Sequence, residues 1–106
     1  MNWILSKEAR CVIEEIEDYT AITWGDAQAG RYIETLFEAF HRLGDNPALG
    51  RSRSDVPPPF LVYAVGSHLI VYRHNSAKER IEVLTVLHPA MNIEKRLMAV
   101  LKRPES

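Results

Sequence analysis

The spacing of apolar and polar positions divides the first half of the chain into one strand and two helices. Residues 2–5 are a short apolar stretch that predicts a strand. Ser6 has the hydroxyl of a helix cap, and apolar residues follow it at helical spacing as far as Thr23. Asp26 is predicted to cap a second helix with one broad apolar face, which Gly44 ends. The short turn between the helices predicts an antiparallel helical hairpin.

The second half predicts a loop and then a β-hairpin. Residues 45–59 contain Gly50 and the run Pro57-Pro58-Pro59, which is typical of a surface loop. Residues 60–65 and 68–73 are rich in β-branched and aromatic side chains. They flank Gly66-Ser67, a pair that suits a type II′ turn between two antiparallel strands.

A third strand and a last helix complete the pattern. Residues 80–88 alternate so that 81, 83, 85 and 87 share one face, and both faces are apolar enough to predict a buried, central strand. Asn92 is predicted to cap a final helix that Pro104 terminates, with Ile93, Leu97, Val100 and Leu101 facing inward. The order predicts an α+β fold: an N-terminal helical hairpin packed on a small antiparallel β-sheet, with a short C-terminal helix.

Composition limits the class of protein. A chain of 106 residues that is 46% apolar predicts one domain over residues 1–106 with a shared core. Its apolar runs are far shorter than the roughly 20 residues that span a bilayer, so we expect a soluble, cytoplasmic protein. One cysteine, Cys11, and histidines without ligand spacing predict no disulfide, no metal site and no cofactor.

Charge is unevenly distributed along the chain. Residues 1–50 hold 4 Lys and Arg against 9 Asp and Glu, and residues 51–106 hold 9 against 5. The two halves therefore have formal charges of −5 and +4. Because the predicted helical hairpin is acidic, it would repel phosphates, and we expect no direct sequence-specific binding of nucleic acid.

Read together, many short landmarks resemble the ParE branch of the ParE/RelE toxin superfamily across residues 3–98. They are Leu5-Ser6, Ala9, Ile16, Tyr19, Trp24-Gly25, Gln28-Ala29, Tyr32, Leu36, Phe40, Leu43, Pro47, Gly50-Arg51, Val65-Gly66, His68-Leu69-Ile70, Tyr72-Arg73, Leu87-His88 and Met91. No single landmark is specific, but their order and spacing are. The chain departs from the family pattern at Phe60-Leu61, where members often have Leu-Arg.

The resemblance implies a function. ParE-like toxins are the toxic half of a type II toxin–antitoxin pair, poison DNA gyrase so that cleaved DNA accumulates, and are held inactive by a ParD-like antitoxin. In that scheme the toxin performs no chemistry, so no catalytic residue is expected. Such antitoxins place apolar anchors on the toxin. Ile22, Trp24 and Phe37 on the hairpin helices are the candidate anchor sites, and the alternative is that they complete the core.

The basic second half supplies candidates for binding the target. These are Arg73, Arg80, His88, Lys95 and Arg96, chosen from the charge asymmetry together with the resemblance.

The alternative within the same superfamily is a RelE-like endonuclease that cuts mRNA on the ribosome. Metal-free cleavage of RNA needs a base, an acid and cations near the phosphorus. Arg51, Arg53, Arg73, Arg80 and His88 are the candidates. They are sparse, and neither a Tyr nor a His follows His88, which favours the gyrase interpretation.

Overall fold

The computed structural model describes residues 2–88 and 93–102. Its strands and helices follow the predicted order: β1 (Trp3–Leu5), α1 (Lys7–Trp24), α2 (Asp26–Asp45), β2 (Leu61–Val65), β3 (His68–Asn75), β4 (Arg80–Leu87) and α3 (Ile93–Leu101). Short 3-10 turns at Pro47–Leu49 and Ser76–Lys78 lie in the connections. The predicted α+β fold is confirmed.

The helical hairpin begins and turns at two well-defined caps. The Ser6 hydroxyl accepts a hydrogen bond from the Ala9 amide at 2.9 Å, so the predicted cap of α1 is confirmed. Between the helices, the cap of α2 is Gly25 rather than Asp26. Gly25 has φ +95°, a conformation that L side chains rarely adopt, and its carbonyl accepts the first helical bond of α2, from Ala29.

Gly44 does not end α2, which continues to Asp45. A Cβ at Gly44 would lie 2.9 Å from the Oδ1 atom of Asn2 and 3.0 Å from its carbonyl oxygen. The glycine therefore allows the chain before β1 to pass close to the helix. This is a packing role, which the helix-stop interpretation did not anticipate.

The four strands form one sheet in the order β1-β4-β3-β2. β2 pairs antiparallel with β3, and β3 with β4, whereas β1 lies parallel to β4 with Ile4 opposite Glu82. β4 is thus central, as predicted. Gly66 in the hairpin turn has φ +54° and Ser67 does not share this positive φ, which agrees with the predicted type II′ turn.

The alternation predicted for β4 is wrong in its second half, because the strand contains a β-bulge. Val71 pairs with Thr85 and Tyr72 with Val83, so Leu84 is an extra residue with no opposite partner. The Ser6 hydroxyl donates to the Leu84 carbonyl at 2.6 Å, and the Ser6 amide to the Val83 carbonyl at 3.0 Å. The cap of α1 therefore also secures the bulge.

The bulge exchanges the faces of the residues that follow it. Ile81 and Val83 pack into the core beneath the helical hairpin, and so does Val86. Leu87 faces the opposite side of the sheet. With an unbroken alternation, Leu87 would have joined Ile81 and Val83, and Val86 would have faced away from the helices.

Apolar side chains cover both faces of the sheet. The larger core lies between the helical hairpin and the sheet, around Trp3, Leu36, Phe40 and Ile70. The smaller core lies on the other face. It is formed by Val56, Val62, Leu69, Val71, Leu87 and Leu97. α3 contributes Leu97 and Val100 inward as predicted, whereas Leu101 is exposed. The predicted cap Asn92 and stop Pro104 lie outside the described residues.

The loop between α2 and β2 is held by one phenol. The Tyr72 hydroxyl donates to the Pro47 carbonyl at 2.6 Å and accepts from the Gly50 amide at 2.8 Å. A Cβ at Gly50 would collide with that hydroxyl, although the backbone there (φ −75°, ψ 170°) suits any residue. Arg51 then pairs with Val62 through two backbone bonds of 2.8 Å and covers part of the edge strand β2.

We expect Tyr72→Phe to lower the free energy of unfolding by about 1–3 kcal/mol, because it leaves two partly buried backbone groups without a partner. Urea denaturation measures the change. Tyr19→Phe is the matched control, since Tyr19 is 68% exposed and its loss of a hydroxyl should change little. Equal stability of the Tyr72→Phe variant and the wild type would contradict this account of the loop.

Candidate functional site

A cleft of about 1070 Å³ lies where the turn end of the helical hairpin, around Gly25, meets the sheet. One wall is formed by the second half of α1 and the start of α2, and the other by the β2–β3 turn and the end of β4. Arg96 of α3 lies at its margin. Apolar side chains, among them Val12, Ile16 and Val86, line much of it. The cleft is large enough for a peptide segment.

A tyrosine from α2 fixes the β2–β3 turn at one side of the cleft. The Tyr32 hydroxyl accepts a hydrogen bond from the Ser67 amide at 3.1 Å and lies 3.3 Å from the Val65 carbonyl. A Cβ at Gly66 would lie 2.8 Å from the Tyr32 ring, and its φ of +54° also disfavours a side chain. Gly66 is therefore required twice, by the turn and by the ring packed against it.

The same hydroxyl meets an imidazole. The Tyr32 oxygen and the His68 Nδ1 atom are 2.6 Å apart. The direction of this hydrogen bond depends on where His68 carries its proton. With Nδ1 unprotonated, the imidazole accepts a hydrogen bond from the phenol; with Nδ1 protonated, it donates one to the phenol oxygen, and the hydroxyl donates to the Val65 carbonyl. Burial raises the pKa of Tyr32 above its ordinary value, although the bond from Ser67 opposes the rise. The phenol is therefore neutral at physiological pH.

The bulge in β4 brings a second histidine to the first. His88 comes directly after β4 and lies on the same face of the sheet as Val86. Its ring lies edge-on to that of His68, with the two ring centroids 5.7 Å apart. Burial lowers the pKa of His68 below 6.5, and the neighbouring His88 lowers it further. His68 is half-buried and His88 is exposed, so the pair is open to the cleft.

Two carboxylates and two arginines line the cleft. Glu15 and Asp26 line the helical wall, and Arg31 and Arg96 also line the cleft. Arg31 donates to the neutral amide oxygen of Gln28 at 2.8 Å. Within residues 2–88 and 93–102, neither arginine forms an ion pair with a carboxylate.

Of the three residues predicted to receive the antitoxin, two lie on the surface. Ile22 is 87% exposed, and Trp24 is 71% exposed and lines the cleft. Phe37 lies elsewhere: its ring packs against Trp3 and Phe40, with centroids 5.7 Å and 5.5 Å away. Phe37 therefore packs against the core, which is the alternative position given for it above.

The five residues predicted to bind the target occupy two places. Arg73, near the end of β3, and Arg80, at the start of β4, lie at the same end of the sheet, and both pair with Glu82, at 2.8 Å and 3.1 Å. Partial burial of Glu82 raises its pKa, but hydrogen bonds from Asn75, Arg73 and Arg80 outweigh this and hold the pKa below its ordinary value. Glu82 therefore offsets part of the positive charge of these two arginines.

His88 and Arg96 line the cleft, and Lys95 is exposed on α3 beside them. β4 rises about 25 Å from Arg80 to His88, and Arg73 lies opposite Glu82, so both arginines are well separated from this group. The structure therefore joins two of the target candidates to Trp24 instead of forming one basic face.

The candidates for RNA cleavage do not converge. Arg53 pairs with Asp55 at 2.9 Å in the surface loop, and Arg73 and Arg80 pair with Glu82. His88 lies at the other end of the sheet. In the part of the chain that the structure describes, no group of three or more His, Cys, Asp or Glu side chains is arranged to hold a metal ion. None of the described helices has the length and apolarity of a membrane span.

Tyr32, His68 and Arg31 are the site residues that sequence reasoning did not select. Tyr32 falls on the broad apolar face predicted for the second helix, and His68 is the first residue of a predicted strand. The available signal was that Tyr32, His68 and His88 all belong to the landmarks quoted above, but they are scattered over 57 positions and only the fold brings them together.

Comparisons with known proteins identify the chain. Residues 3–93 match the family described as the ParE toxin of type II toxin–antitoxin systems, parDE. The chain belongs to the ParE toxin family. Toxin ParE1 of Mycobacterium tuberculosis is 35% identical over 96 residues, which cover 91% of this chain and 97% of that protein. Toxin ParE1 of Caulobacter vibrioides is 29% identical over 93 residues, which cover 88% of this chain and 94% of that protein.

A solved structure supports the ParE fold. A chain of the chromosomal ParDE TA system from P. aeruginosa superposes with a TM-score of 0.71 at 16% identity, covering 83% of this chain and 95% of that one. At such low identity the likeness establishes the architecture alone. The overall fold is thus shared despite extensive sequence divergence.

We expect His68→Gln to reduce the loss of stability that the wild type shows below neutral pH. Because the folded pKa of His68 is lowered, the unfolded chain binds a proton more readily once pH falls through about 6.5, and this contribution levels off below the folded pKa. Urea denaturation at about pH 7.5 and about pH 5.5 gives the two stabilities. Ser67→Ala, a neutral change at the adjacent turn position, is the control. Identical losses in His68→Gln and wild type would refute the assignment.

Proposed function

We propose that this ParE family member poisons DNA gyrase by binding it, performs no chemistry itself, and is held inactive by a ParD-like antitoxin. The observation that carries the proposal is the cleft, where Trp24, a candidate for antitoxin binding, lies with His88 and Arg96, candidates for target binding. Membership of the ParE family supports the toxin role.

This arrangement gives neutralisation a steric basis. An antitoxin segment that packs on Ile22 and Trp24 and enters the cleft would cover His88 and Arg96 at the same time. The target and the antitoxin would then compete for one surface. Apolar anchors in a groove are a common way for one protein to bind a helix or extended tail of another.

The placement of the cations disfavours the endonuclease alternative. Cleavage of RNA needs several cations around one phosphate. Arg53, Arg73 and Arg80 are each engaged by a carboxylate, and neither they nor Arg51 lines the cleft that contains His88. This supports a toxin that acts by binding a protein target.

We expect the purified protein to inhibit supercoiling by DNA gyrase and to increase cleaved plasmid in the same reaction. An agarose-gel supercoiling assay measures both. Addition of the ParD-like antitoxin should restore supercoiling. Normal supercoiling together with cleavage of mRNA in a ribosome translation assay would replace the proposal by the endonuclease function.

We expect Trp24→Ala to weaken binding of the antitoxin by about 10-fold or more, since exposed tryptophans are frequent hot spots of interfaces. Isothermal titration calorimetry measures the affinity, and thermal unfolding should be unchanged because Trp24 is 71% exposed. Ile4→Ala on β1, at a side chain that is 40% exposed and outside the cleft, is the control. Unchanged affinity in Trp24→Ala would exclude this part of the surface.

A further inference from the structure

We propose that Tyr32 is a positioning residue of this toxin. Its hydroxyl donates to the Nδ1 atom of His68, which fixes His68 as the tautomer protonated at Nε2 and holds its ring against that of His88. The inference rests on the proposed function, in which His88 is a candidate for binding the target. It adds a residue that acts on the target through His88 rather than by contact.

The Tyr32 hydroxyl has one proton to donate and two acceptors beside it. The Ser67 amide can only donate, and it occupies a lone pair of the phenol oxygen at 3.1 Å. The acceptors are the His68 Nδ1 atom at 2.6 Å and the Val65 carbonyl at 3.3 Å. Because hydroxyl groups donate over roughly 2.5–3.0 Å, the shorter distance lies within the range and the longer one outside it. The geometry therefore favours donation to His68.

The protonation states agree with this direction. Burial raises the pKa of Tyr32, although the bond from Ser67 opposes the rise, so the phenol keeps the proton that it donates. Burial lowers the pKa of His68 and the neighbouring His88 lowers it further, so His68 is neutral at physiological pH. A neutral imidazole carries its proton on one nitrogen, which is Nε2 when Nδ1 accepts a hydrogen bond.

The contact with His88 depends on the rotation of the His68 ring. The two rings meet edge to face, with an angle of 88° between their planes. Rotation of His68 about its Cβ–Cγ bond would change the atoms at this contact, and the bond to Tyr32 opposes that rotation. Tyr32 is itself held, because a Cβ at Gly66 would lie only 2.8 Å from its ring. α2 thus positions His88 through two successive rings.

The charged lining of the cleft does not provide this contact. Apart from Tyr32 and the two histidines, the titratable or charged side chains that line it are Glu15, Tyr19, Asp26, Arg31 and Arg96. Among the described residues, the hydrogen-bond partner of the His68 imidazole is Tyr32 and none of these five. Removal of one hydroxyl therefore tests the positioning without changing the charge of the cleft.

The first experiment observes the imidazole nitrogens of the whole chain by long-range proton–nitrogen NMR at about pH 7.5. We expect wild-type His68 to carry its proton on Nε2 alone. Tyr32→Phe should show both tautomers of His68 and shift the imidazole signals of His88. Tyr63→Phe is the matched control, since Tyr63 is partly buried and lies outside the cleft. Wild-type His68 protonated at Nδ1 would overturn the inference.

The second experiment compares inhibition of gyrase supercoiling by wild type, Tyr32→Phe, His88→Gln and the double variant. We expect Tyr32→Phe to weaken inhibition by about 3- to 10-fold, the effect of one lost hydrogen bond. In the His88→Gln background the same change should have little effect, because residues that act through one another are not additive. Thermal unfolding checks that each variant is folded. His68→Phe, which keeps a ring without an acceptor nitrogen, replaces Tyr32→Phe if that variant does not fold.

Two results of the supercoiling experiment would overturn the inference alone. One is an equal loss of inhibition from Tyr32→Phe with and without His88, since Tyr32 would then act elsewhere. The other is unchanged inhibition by Tyr32→Phe where His88→Gln weakens it. No inhibition of gyrase by the wild type would instead overturn the proposed function, and the NMR experiment would still decide the tautomer of His68.

Discussion

The bond from the Ser6 hydroxyl to the Leu84 carbonyl is the constraint on which the site depends. At 2.6 Å it joins residues that are 78 positions apart, and the same hydroxyl caps α1. One side chain therefore starts the helical hairpin and secures the bulge in β4. Because a bulge exchanges the two faces of a strand, Val86 and then His88 turn toward the helices. Without the bulge, His88 would face away from His68.

Two tyrosines fix the loops by hydrogen bonds to their backbone. Tyr32 reaches from α2 to the β2–β3 turn, and Tyr72 reaches from the sheet to the loop before β2. In each case a glycine leaves room for the phenol: Gly66 beside Tyr32 and Gly50 beside Tyr72. The phenols satisfy backbone groups that loops otherwise leave unpaired. Several of the family landmarks are thus parts of two packing units rather than isolated motifs: Tyr32 with Val65-Gly66, and Tyr72 with Pro47 and Gly50.

Local patterns predicted the elements because their causes are local. The cap at Ser6, the turn at Gly66-Ser67 and the buried central strand follow from hydroxyl capping, glycine conformation and apolar composition. The bulge could not be predicted, since its stabilising bond comes from the other end of the chain. The roles of Gly25 and Gly44 were missed for a related reason: one lies a residue before the expected cap, and the other is explained by contact with Asn2.

The site could be predicted only as separate parts. Sequence charge placed Arg73, Arg80 and Arg96 in one basic half, but electrostatic function depends on which cations are already neutralised. Glu82 engages Arg73 and Arg80, whereas Arg96 has no carboxylate partner among the described residues. Exposed ion pairs contribute little to stability, so Glu82 matters chiefly because it offsets part of the charge that the two arginines would present to a partner. Arg96 is placed differently, since it lines the same cleft as Trp24.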